Sequence, residues 1–172
     1  AGDICLRTID PDYGMAKLYF RHSPMNAGKT TALLQVAHNY ERNGGIVILA
    51  KPEVDMKGDN KVVSRLGIER KVDVLAGPGI DIRRAIYAKA DGQLIRCVLI
   101  DEAQFLEPAQ VDQLRMLATE YNVVTIAYGL RTDFQTNLFP GSKRLLEVAD
   151  SIEELKTVCR CGDRKAIFNA RY

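Results

Sequence analysis

The sequence predicts an α/β fold in which helices flank a parallel β-sheet. From residue 17 onwards, short apolar runs alternate with segments of helical periodicity, a pattern typical of strands covered by helices. A Gly-Lys-Thr turn follows the first apolar run and an acidic pair follows a later one, as expected where such sheets gather polar groups at one edge. The 172 residues, 47% of them hydrophobic, suffice for one compact domain with a real core.

The first elements are predicted as strand, loop, helix and strand. An apolar run at 18–20 opens the sheet. Residues 29–42 place an apolar stripe opposite a polar face and end at an Asn-Gly-Gly turn, which indicates a helix and its stop. A strand is predicted directly after this turn, at 46–50.

Later elements continue the alternation after the polar, turn-rich residues 51–59, which are either loops near the chemistry or simple connectors. A helix follows the acidic pair, and we assign its apolar stripe to the core rather than to a cofactor: Val111, Leu114, Leu117 and Tyr121. The other predicted elements are helices at 81–90 and 143–149 and strands at 97–100, 123–128 and 152–155.

The two ends of the chain are expected to lie outside this main domain, which we assign to 15–156. Residues 1–14 are polar and aperiodic, and we interpret them as a leader or tag that carries Cys5. Residues 157–172 are polar and hold Cys159 and Cys161. The close spacing of this pair favours metal ligands over a disulfide framework.

Charge and hydropathy argue against two classes of partner. The net charge of +2 comes from scattered basic residues nearly balanced by acids, so no basic stripe suggests nucleic acid. No apolar run approaches the roughly 20 residues that span a bilayer, and nothing resembles a secretory signal. We therefore expect a soluble, cytoplasmic protein that binds neither membranes nor nucleic acid.

The turn after the first strand has the spacing of a phosphate-binding loop, with serine where glycine is usual. Backbone N–H groups would wrap phosphate oxygens, Lys29 would add positive charge, and the Thr30 hydroxyl would ligate Mg²⁺. The alternative is a chance tripeptide that caps a helix, but the position between a strand and an amphipathic helix favours a nucleotide site. The predicted loop comprises Ser23, Pro24, Met25, Asn26, Ala27, Gly28, Lys29 and Thr30.

An acidic pair, Asp101 and Glu102, stands at the carboxyl end of a predicted buried strand. We assign Asp101 to the Mg²⁺ of bound ATP, through water or the Thr30 hydroxyl, and Glu102 to the general base for an acceptor hydroxyl. The alternatives are a solvated strand end and the acidic box of a helicase. A helicase needs a second motor domain and a grip on nucleic acid, and the chain is too short for the first and shows no sign of the second.

Four motifs occur together in the order and spacing of one family. SPMNAGKTT is followed by VLIDEAQF, then by YGLRTDF with a downstream Phe139, and finally by LKTVCRCG. From about Met15 to its end the chain resembles the zinc-containing (type II) thymidine kinases. The resemblance implies a P-loop NTPase-like sheet with a small C-terminal zinc-binding lasso domain, expected to be incomplete in 157–172.

The resemblance also implies an activity and an assembly. Such an enzyme is a homotetramer that transfers the γ-phosphate of ATP to the 5′-hydroxyl of thymidine, giving thymidine monophosphate, and is inhibited by thymidine triphosphate. Alternatives from the sequence are a P-loop kinase or ATPase with another acceptor, and a nucleotide sensor without turnover. Acceptor identity would separate these alternatives, because a sensor forms no product.

Residues carried over from the family motifs define the expected site. Glu102 resembles the catalytic base, Lys29 and Thr30 the ATP and Mg²⁺ residues, and Gln104 a neighbour grouped with them, while Arg65 is a candidate charge stabiliser. Four residues match positions that line the thymine pocket, with ordinary core as the alternative for the phenylalanines: Met25, Phe105, Phe134 and Phe139.

The cysteines and histidines complete the expectations. Cys159 and Cys161 resemble half of a structural zinc site, whose other ligands in the family arrive after a loop that closes over the nucleoside. Cys97 is expected to be a buried strand residue. His22 and His38 are expected to be packing or surface residues.

Overall fold

A computed structural model describes residues 15–24, 28–54, 60–64, 67–157 and 164–169. Its helices are α1 (Lys29–Glu41), α2 (Ile82–Ala90), α3 (Pro108–Thr119) and α4 (Pro140–Val148), with a 3₁₀ turn at Ala103–Phe105. Its strands are β1 (Leu18–His22), β2 (Ile46–Pro52), β3 (Lys61–Val63), β4 (Glu69–Lys71), β5 (Val74–Ala76), β6 (Ile95–Ile100), β7 (Val124–Gly129) and β8 (Ser151–Glu154).

Six of these strands form one parallel sheet in the order β5-β2-β6-β7-β1-β8. The α/β fold predicted from the alternating pattern is therefore confirmed. β6, β7 and β1 are neighbours, so the segments that follow them leave the sheet side by side at its carboxyl edge. This edge is where open α/β sheets bind their ligands.

The two faces of the sheet are covered differently. On one face, buried residues of α2, α3 and α4 join those of the strands in the larger apolar cluster. On the other face, α1 packs through Leu33 and Ala37 against a smaller cluster that includes Cys97 and Tyr128. Cys97 is fully buried, as predicted, and burial raises the pKa of its thiol to about 12.

A small hairpin, β3 and β4, forms a second sheet that the sequence pattern did not predict. Its strands have three residues each, too short for periodicity to show. Arg70 ties the hairpin to the main body, donating to Oε1 of Glu41 at 2.6 Å and to the carbonyl oxygen of Val47 at 3.1 Å. The short edge strand β5 escaped prediction for the same reason.

The predicted core stripe of α3 is right for Val111, Leu114 and Leu117, which are fully buried, and wrong for Tyr121. The helix ends at Thr119, and Tyr121 lies beyond it with 47% of its surface exposed. Its ring packs on that of Tyr87 at the surface, with centroids 5.3 Å apart. The α-helix therefore ends before Tyr121, and the helical spacing of apolar residues does not extend to it.

Helix α4 begins three residues earlier than predicted because Pro140 occupies its first turn, where the fixed φ of proline favours helix initiation. Within the described part of the chain, none of the helices combines the length and apolarity needed to cross a bilayer.

Candidate active site

Three loops meet at the carboxyl edge of the sheet. The predicted phosphate loop follows β1, the acidic pair follows β6, and an irregular loop at 130–139 follows β7, the strand between them. The backbone N–H of Ser23 donates to the carbonyl oxygen of Gly129 at 3.3 Å, which ties the first of these loops to the end of β7. The topology thus brings the two predicted catalytic motifs to one place.

The phosphate loop leads directly into α1, which begins at Lys29. Gly28 has a φ of 76°, a left-handed conformation that glycine adopts without strain, so the backbone geometry favours glycine here. Ser23 and Pro24 are buried, and Thr30 lies partly buried in the first turn of α1. The predicted loop residues Met25, Asn26 and Ala27 lie outside the described residues, as does Arg65.

Lys29 lies within electrostatic reach of the acidic pair. Its ammonium donates to Oγ of Ser23 at 3.1 Å and to the carbonyl oxygen of Pro24 at 3.2 Å. Burial lowers the pKa of Lys29, and the negative charges of Glu102 and Asp101 act in the opposite direction. The structure therefore brings the lysine and both acids into one electrostatic environment, as the motif assignments require.

Asp101 follows the last residue of β6 and is only 6% exposed. Its Oδ1 accepts the backbone N–H of Glu102 at 3.0 Å, and its own N–H donates to the carbonyl oxygen of Ala50 at 3.0 Å. Burial, followed by the negative charge of Glu102, raises the pKa of Asp101 to about 6. A buried acid so disposed needs a cationic partner to remain ionised.

Glu102 has a φ of 52°, in the left-handed region that residues other than glycine rarely adopt. Such backbone is costly and persists where surrounding contacts hold it. Gln104 supplies one of these contacts, because its Nε2 donates to Oε2 of Glu102 at 2.5 Å. Its Oε1 accepts the N–H of Leu130 at 3.2 Å, and the whole residue is 1% exposed.

Gly129 is a part of this arrangement that the sequence analysis missed. A Cβ added at Gly129 would lie 2.6 Å from Oε1 of Gln104 and 3.0 Å from its backbone nitrogen. Real Cβ atoms essentially never approach other atoms so closely. The glycine of the YGLRTDF motif therefore makes room for Gln104, a role that its place in the sequence does not reveal.

The predicted thymine-pocket phenylalanines lie around the same edge. The rings of Phe105 and Phe139 meet edge to face, with centroids 5.5 Å apart and an interplanar angle of 75°. Phe105 is 43% exposed and Phe134 is 48% exposed, so neither behaves as a core residue, whereas Phe139 is partly buried. The loop that carries Phe134 is turned by Asp133, whose Oδ1 accepts the N–H groups of Gln135 and Asn137 at 2.8 and 3.0 Å.

A small polar cavity at the carboxyl ends of β1 and β8 borders the phosphate loop. The chain's later segment 164–169 contributes to it, and Lys165 is hydrogen-bonded to Glu154. These residues come from separate parts of the chain, so no local pattern grouped them. The lining residues are His22, Ser23, Pro24, Arg131, Thr132, Glu154, Ile167 and Asn169.

The histidines agree with their predicted roles. The ring of His22 packs edge to face on Phe20, with centroids 5.4 Å apart, and His38 is exposed on α1. Burial lowers the pKa of His22, and the positive charge of Arg131 lowers it further. His22 nevertheless lines the cavity beside the phosphate loop, a location that the sequence analysis did not anticipate.

Metal ligands were predicted in the C-terminal part of the chain. Cys159 and Cys161 lie outside the described residues. Among the residues that the structure does describe, no cluster of three or more His, Cys, Asp or Glu side chains is placed to hold a metal ion.

Comparisons with known proteins agree with this geometry. A family profile described as Thymidine kinase matches residues 16–172. The chain is 49% identical over 158 residues to a thymidine kinase of Idiomarina loihiensis, a match that covers 91% of this chain and 81% of that protein. It is 48% identical over 159 residues to the thymidine kinase of Enterobacteria phage T4, again covering 91% and 81%. On these grounds the chain belongs to the thymidine kinase family.

Proposed function

We propose that this chain transfers the γ-phosphate of ATP to the 5′-hydroxyl of thymidine and so produces thymidine monophosphate. The observation that supports this best is the shared environment of Lys29, Asp101 and Glu102 at the carboxyl edge of the sheet, after β1 and β6. A lysine at the head of a helix suits the terminal phosphates of a nucleotide, and a carboxylate beside it suits an attacking hydroxyl. The names of the relatives agree with thymidine as the acceptor.

The phosphate loop would hold ATP mainly through charge and backbone donors. Residues 23–28 join β1 to α1, so N–H groups at the start of the helix are available to phosphate oxygens. Lys29 would exchange its bonds with Ser23 and Pro24 for bonds to the phosphates. Met25, Asn26 and Ala27 are assigned to this loop by their place in the motif.

Mg²⁺ is the cation that we assign to the ATP site, where it would neutralise charge on the phosphates. Asp101 fits this assignment, because a buried carboxyl with a raised pKa gains most from a nearby positive charge. The Thr30 hydroxyl, in the first turn of α1, is the second ligand that we propose. Mg²⁺ in such sites usually keeps several waters and takes only one or two carboxylates.

Glu102 would act as the general base. It would accept the proton of the 5′-hydroxyl while that oxygen attacks the γ-phosphate, and positioning and charge neutralisation would supply most of the rate enhancement. Phe105, Phe134 and Phe139, with Met25, would hold the flat, methyl-bearing base and exclude water from the transfer. The edge-to-face contact of Phe105 and Phe139 supports one wall of such a pocket.

The family resemblance also motivates proposals about the whole enzyme. We include a structural zinc site that uses Cys159 and Cys161, a homotetrameric assembly in the cytoplasm, and inhibition by thymidine triphosphate. Residues 15–156 would form the kinase domain, and 157–172 would begin the zinc-binding lasso domain. Sedimentation with and without thymidine triphosphate tests the assembly, and initial rates at rising triphosphate test the inhibition.

A nucleoside panel tests the proposed reaction. Each nucleoside is offered with Mg-ATP, and products are separated by chromatography. Thymidine and deoxyuridine should yield monophosphates, and absence of both products would reject the assignment. A nucleotide sensor would bind ATP and form no product with any acceptor.

A substitution tests the base. Glu102→Gln should keep ATP binding and lower turnover by at least about a hundredfold, the lower range for a general base. Glu120→Gln, at the exposed C-cap of α3, is the matched control and should turn over normally. Near-normal turnover in Glu102→Gln would retire the base assignment while leaving the nucleotide site intact.

A further inference from the structure

The Gln104 side chain is buried at the centre of the site, and its amide is used at both ends. The donor end reaches Oε2 of Glu102 at 2.5 Å, and the acceptor end receives the N–H of Leu130 at 3.2 Å. Only 1% of the residue is exposed. An amide committed in this way is poorly placed to bind a nucleotide or metal, which is the role that the family motif suggested.

The direction of the amide follows from its partners. A carboxylate only accepts hydrogen bonds and a backbone N–H only donates, so the –NH₂ group must face Glu102 and the oxygen must face Leu130. The reversed amide would oppose oxygen to oxygen and N–H to N–H. The two contacts therefore define one orientation rather than two.

Two glycines lie close to Gln104. The missing side chain of Gly129 leaves just enough space for Oε1 of Gln104, since a Cβ there would approach it to 2.6 Å. A Cβ at Gly141 would lie 2.9 Å from the backbone oxygen of Gln104. Two glycines from separate elements, β7 and α4, thus leave room for the same turn.

Glu102 is the residue that needs such support. Its left-handed φ of 52° is rare outside glycine, and its side chain is only partly buried. A long carboxylate side chain at such a site loses considerable rotamer entropy when it is fixed. The bond from Gln104 is therefore well suited to hold the carboxylate in one orientation.

We propose that Gln104 is a positioning residue that aligns the Glu102 carboxylate and ties that alignment to the backbone of loop 130–139. The inference rests on the proposed function, because alignment has a meaning only if Glu102 is the base. The same loop carries Phe134, and Phe139 ends it. The base and the nucleoside pocket are thereby set from one common point.

Two substitutions separate the donor from the acceptor of the amide. Gln104→Met keeps the length of the side chain and removes both hydrogen bonds. Gln104→Glu keeps an oxygen for the N–H of Leu130 and replaces the amide donor by a second carboxyl, which would share one proton with Glu102 because two carboxylates in contact cannot both ionise. Both should lower kcat by about tenfold to a hundredfold, the scale of a 1 Å misplacement, with little change in KM for ATP or thymidine.

The pattern of losses distinguishes the possible roles. If Gln104 only supports the loop, Gln104→Met should lower the stability of the protein and leave kcat of the folded enzyme at the wild-type value, and that result would overturn the proposal. If Gln104 binds the nucleotide, its variants should raise KM for ATP with kcat unchanged, which would overturn it equally. Gln35→Met, on the exposed face of α1, is the control and should match wild type.

A double-mutant cycle provides a second test of the positioning role. In a Glu102→Gln background no carboxylate remains to be aligned, so Gln104→Met should cost less than about twofold more, because residues acting as a unit are non-additive. A full, independent loss in that background would contradict positioning. Should Gln104→Met fail to fold, Gln104→Asn, whose neutral amide is one methylene shorter and cannot keep both hydrogen bonds, replaces it in both tests.

The failure of this inference is distinct from that of the proposed function. A wild-type protein that phosphorylates no nucleoside would reject the function itself. An active wild-type protein whose Gln104 variants keep wild-type kcat would reject the positioning role alone.

Discussion

The ammonium of Lys29 bonds to Oγ of Ser23, 3.1 Å away, so the lysine of the phosphate loop folds back onto the first residue of that loop. Ser23 is 2% exposed, and its hydroxyl donates to the carbonyl oxygen of Pro24 at 3.0 Å. The serine that replaces the usual glycine is therefore an acceptor for the lysine. It keeps the ammonium in the loop, where burial lowers its pKa.

The Lys29–Ser23 pair predicts unequal costs for its two members. Lys29→Met removes the charge proposed to meet the phosphates and should lower kcat/KM for Mg-ATP by at least about a hundredfold, as for loss of one preorganised electrostatic group. Ser23→Gly removes the hydroxyl's bonds to Lys29 and Pro24, and the bond to Lys29 would be given up when the ammonium meets the phosphates, so the variant should lose no more than about 1.5 kcal/mol of transition-state stabilisation. Steady-state kinetics with varied ATP measure both. Equal losses in the two variants would contradict the assigned roles.

The contribution of Asp101 to the free energy of unfolding should depend on pH. Its folded-state pKa of about 6 lies above the ordinary value of 3.8, so the folded protein holds more protons than the unfolded chain within that window. This contribution to the free energy of unfolding is full below pH 3.8 and is lost as pH rises through about 6. One pKa unit corresponds to about 1.36 kcal/mol. The difference between 3.8 and about 6 therefore amounts to a loss of about 2–3 kcal/mol.

Asp101→Asn should therefore be more stable than wild type at pH 8, by up to about 2 kcal/mol, because no charge is buried. The gain should shrink towards pH 4, and kinase activity should be lost at every pH. Urea unfolding at both pH values, without Mg²⁺ or ATP, measures the effect. Asp91→Asn is the control at an exposed left-handed C-cap, which asparagine tolerates. A variant less stable than wild type at pH 8 would contradict the burial argument.

The elements that sequence reasoning found are those whose pattern is local and long. The helical stripe of α1 and the apolar run of β6 each extend over several residues, so the period is visible. β5 has three residues and reaches the sheet through its pairing with β2, a long-range contact that no local period encodes. The prediction for Tyr121 was wrong for a related reason. Helix α3 ends at Thr119, and no glycine or proline marks that end in the sequence.

The site divides in the same way. Lys29, Asp101 and Glu102 were predicted because motif and strand-end position agree. The hydrogen bond between the N–H of Leu130 and Gln104 was not predicted, because it joins residues that are 26 positions apart and follow two different strands. Steric requirements cannot be read from the sequence either. Gly129 resembles any glycine at the end of a strand, and only the structure shows that Gln104 approaches it closely.

Gly141, in the first turn of α4, should be intolerant of any side chain. A Cβ there would lie 2.5 Å from the carbonyl oxygen of Ala103 and 2.7 Å from that of Leu106, and these backbone atoms have no freedom to give way. Gly141→Ala should destabilise the fold by about 1–3 kcal/mol, the usual cost of overpacking. Denaturant unfolding measures this, with exposed Lys143→Ala on the same helix as control. Stability equal to that of wild type would show that the turn and helix separate easily.

The contact between Phe105 and Phe139 predicts a selective loss of nucleoside affinity. Phe139→Leu keeps an apolar side chain but removes the edge-to-face pair, which contributes about 0.5–1.5 kcal/mol beyond area burial. KM for thymidine should rise up to about tenfold while KM for ATP stays near wild type. Tyr121→Leu breaks the surface ring pair with Tyr87 and should change neither constant. A rise in KM for ATP alone would contradict the pocket assignment.

The zinc proposal predicts a metal content that depends on two cysteines and not on a third. Protein extended to the full length of its relatives should contain about one zinc per subunit, since a structural site is tetrahedral and closed. Cys159→Ser and Cys161→Ser should each lower that content and the thermal midpoint together, because metal binding is coupled to folding. Cys97→Ala removes a buried thiol whose pKa is raised to about 12, so it should leave the zinc content unchanged. Elemental analysis with parallel thermal melts measures both quantities, and zinc-free protein that is fully folded would reject this part of the assignment alone.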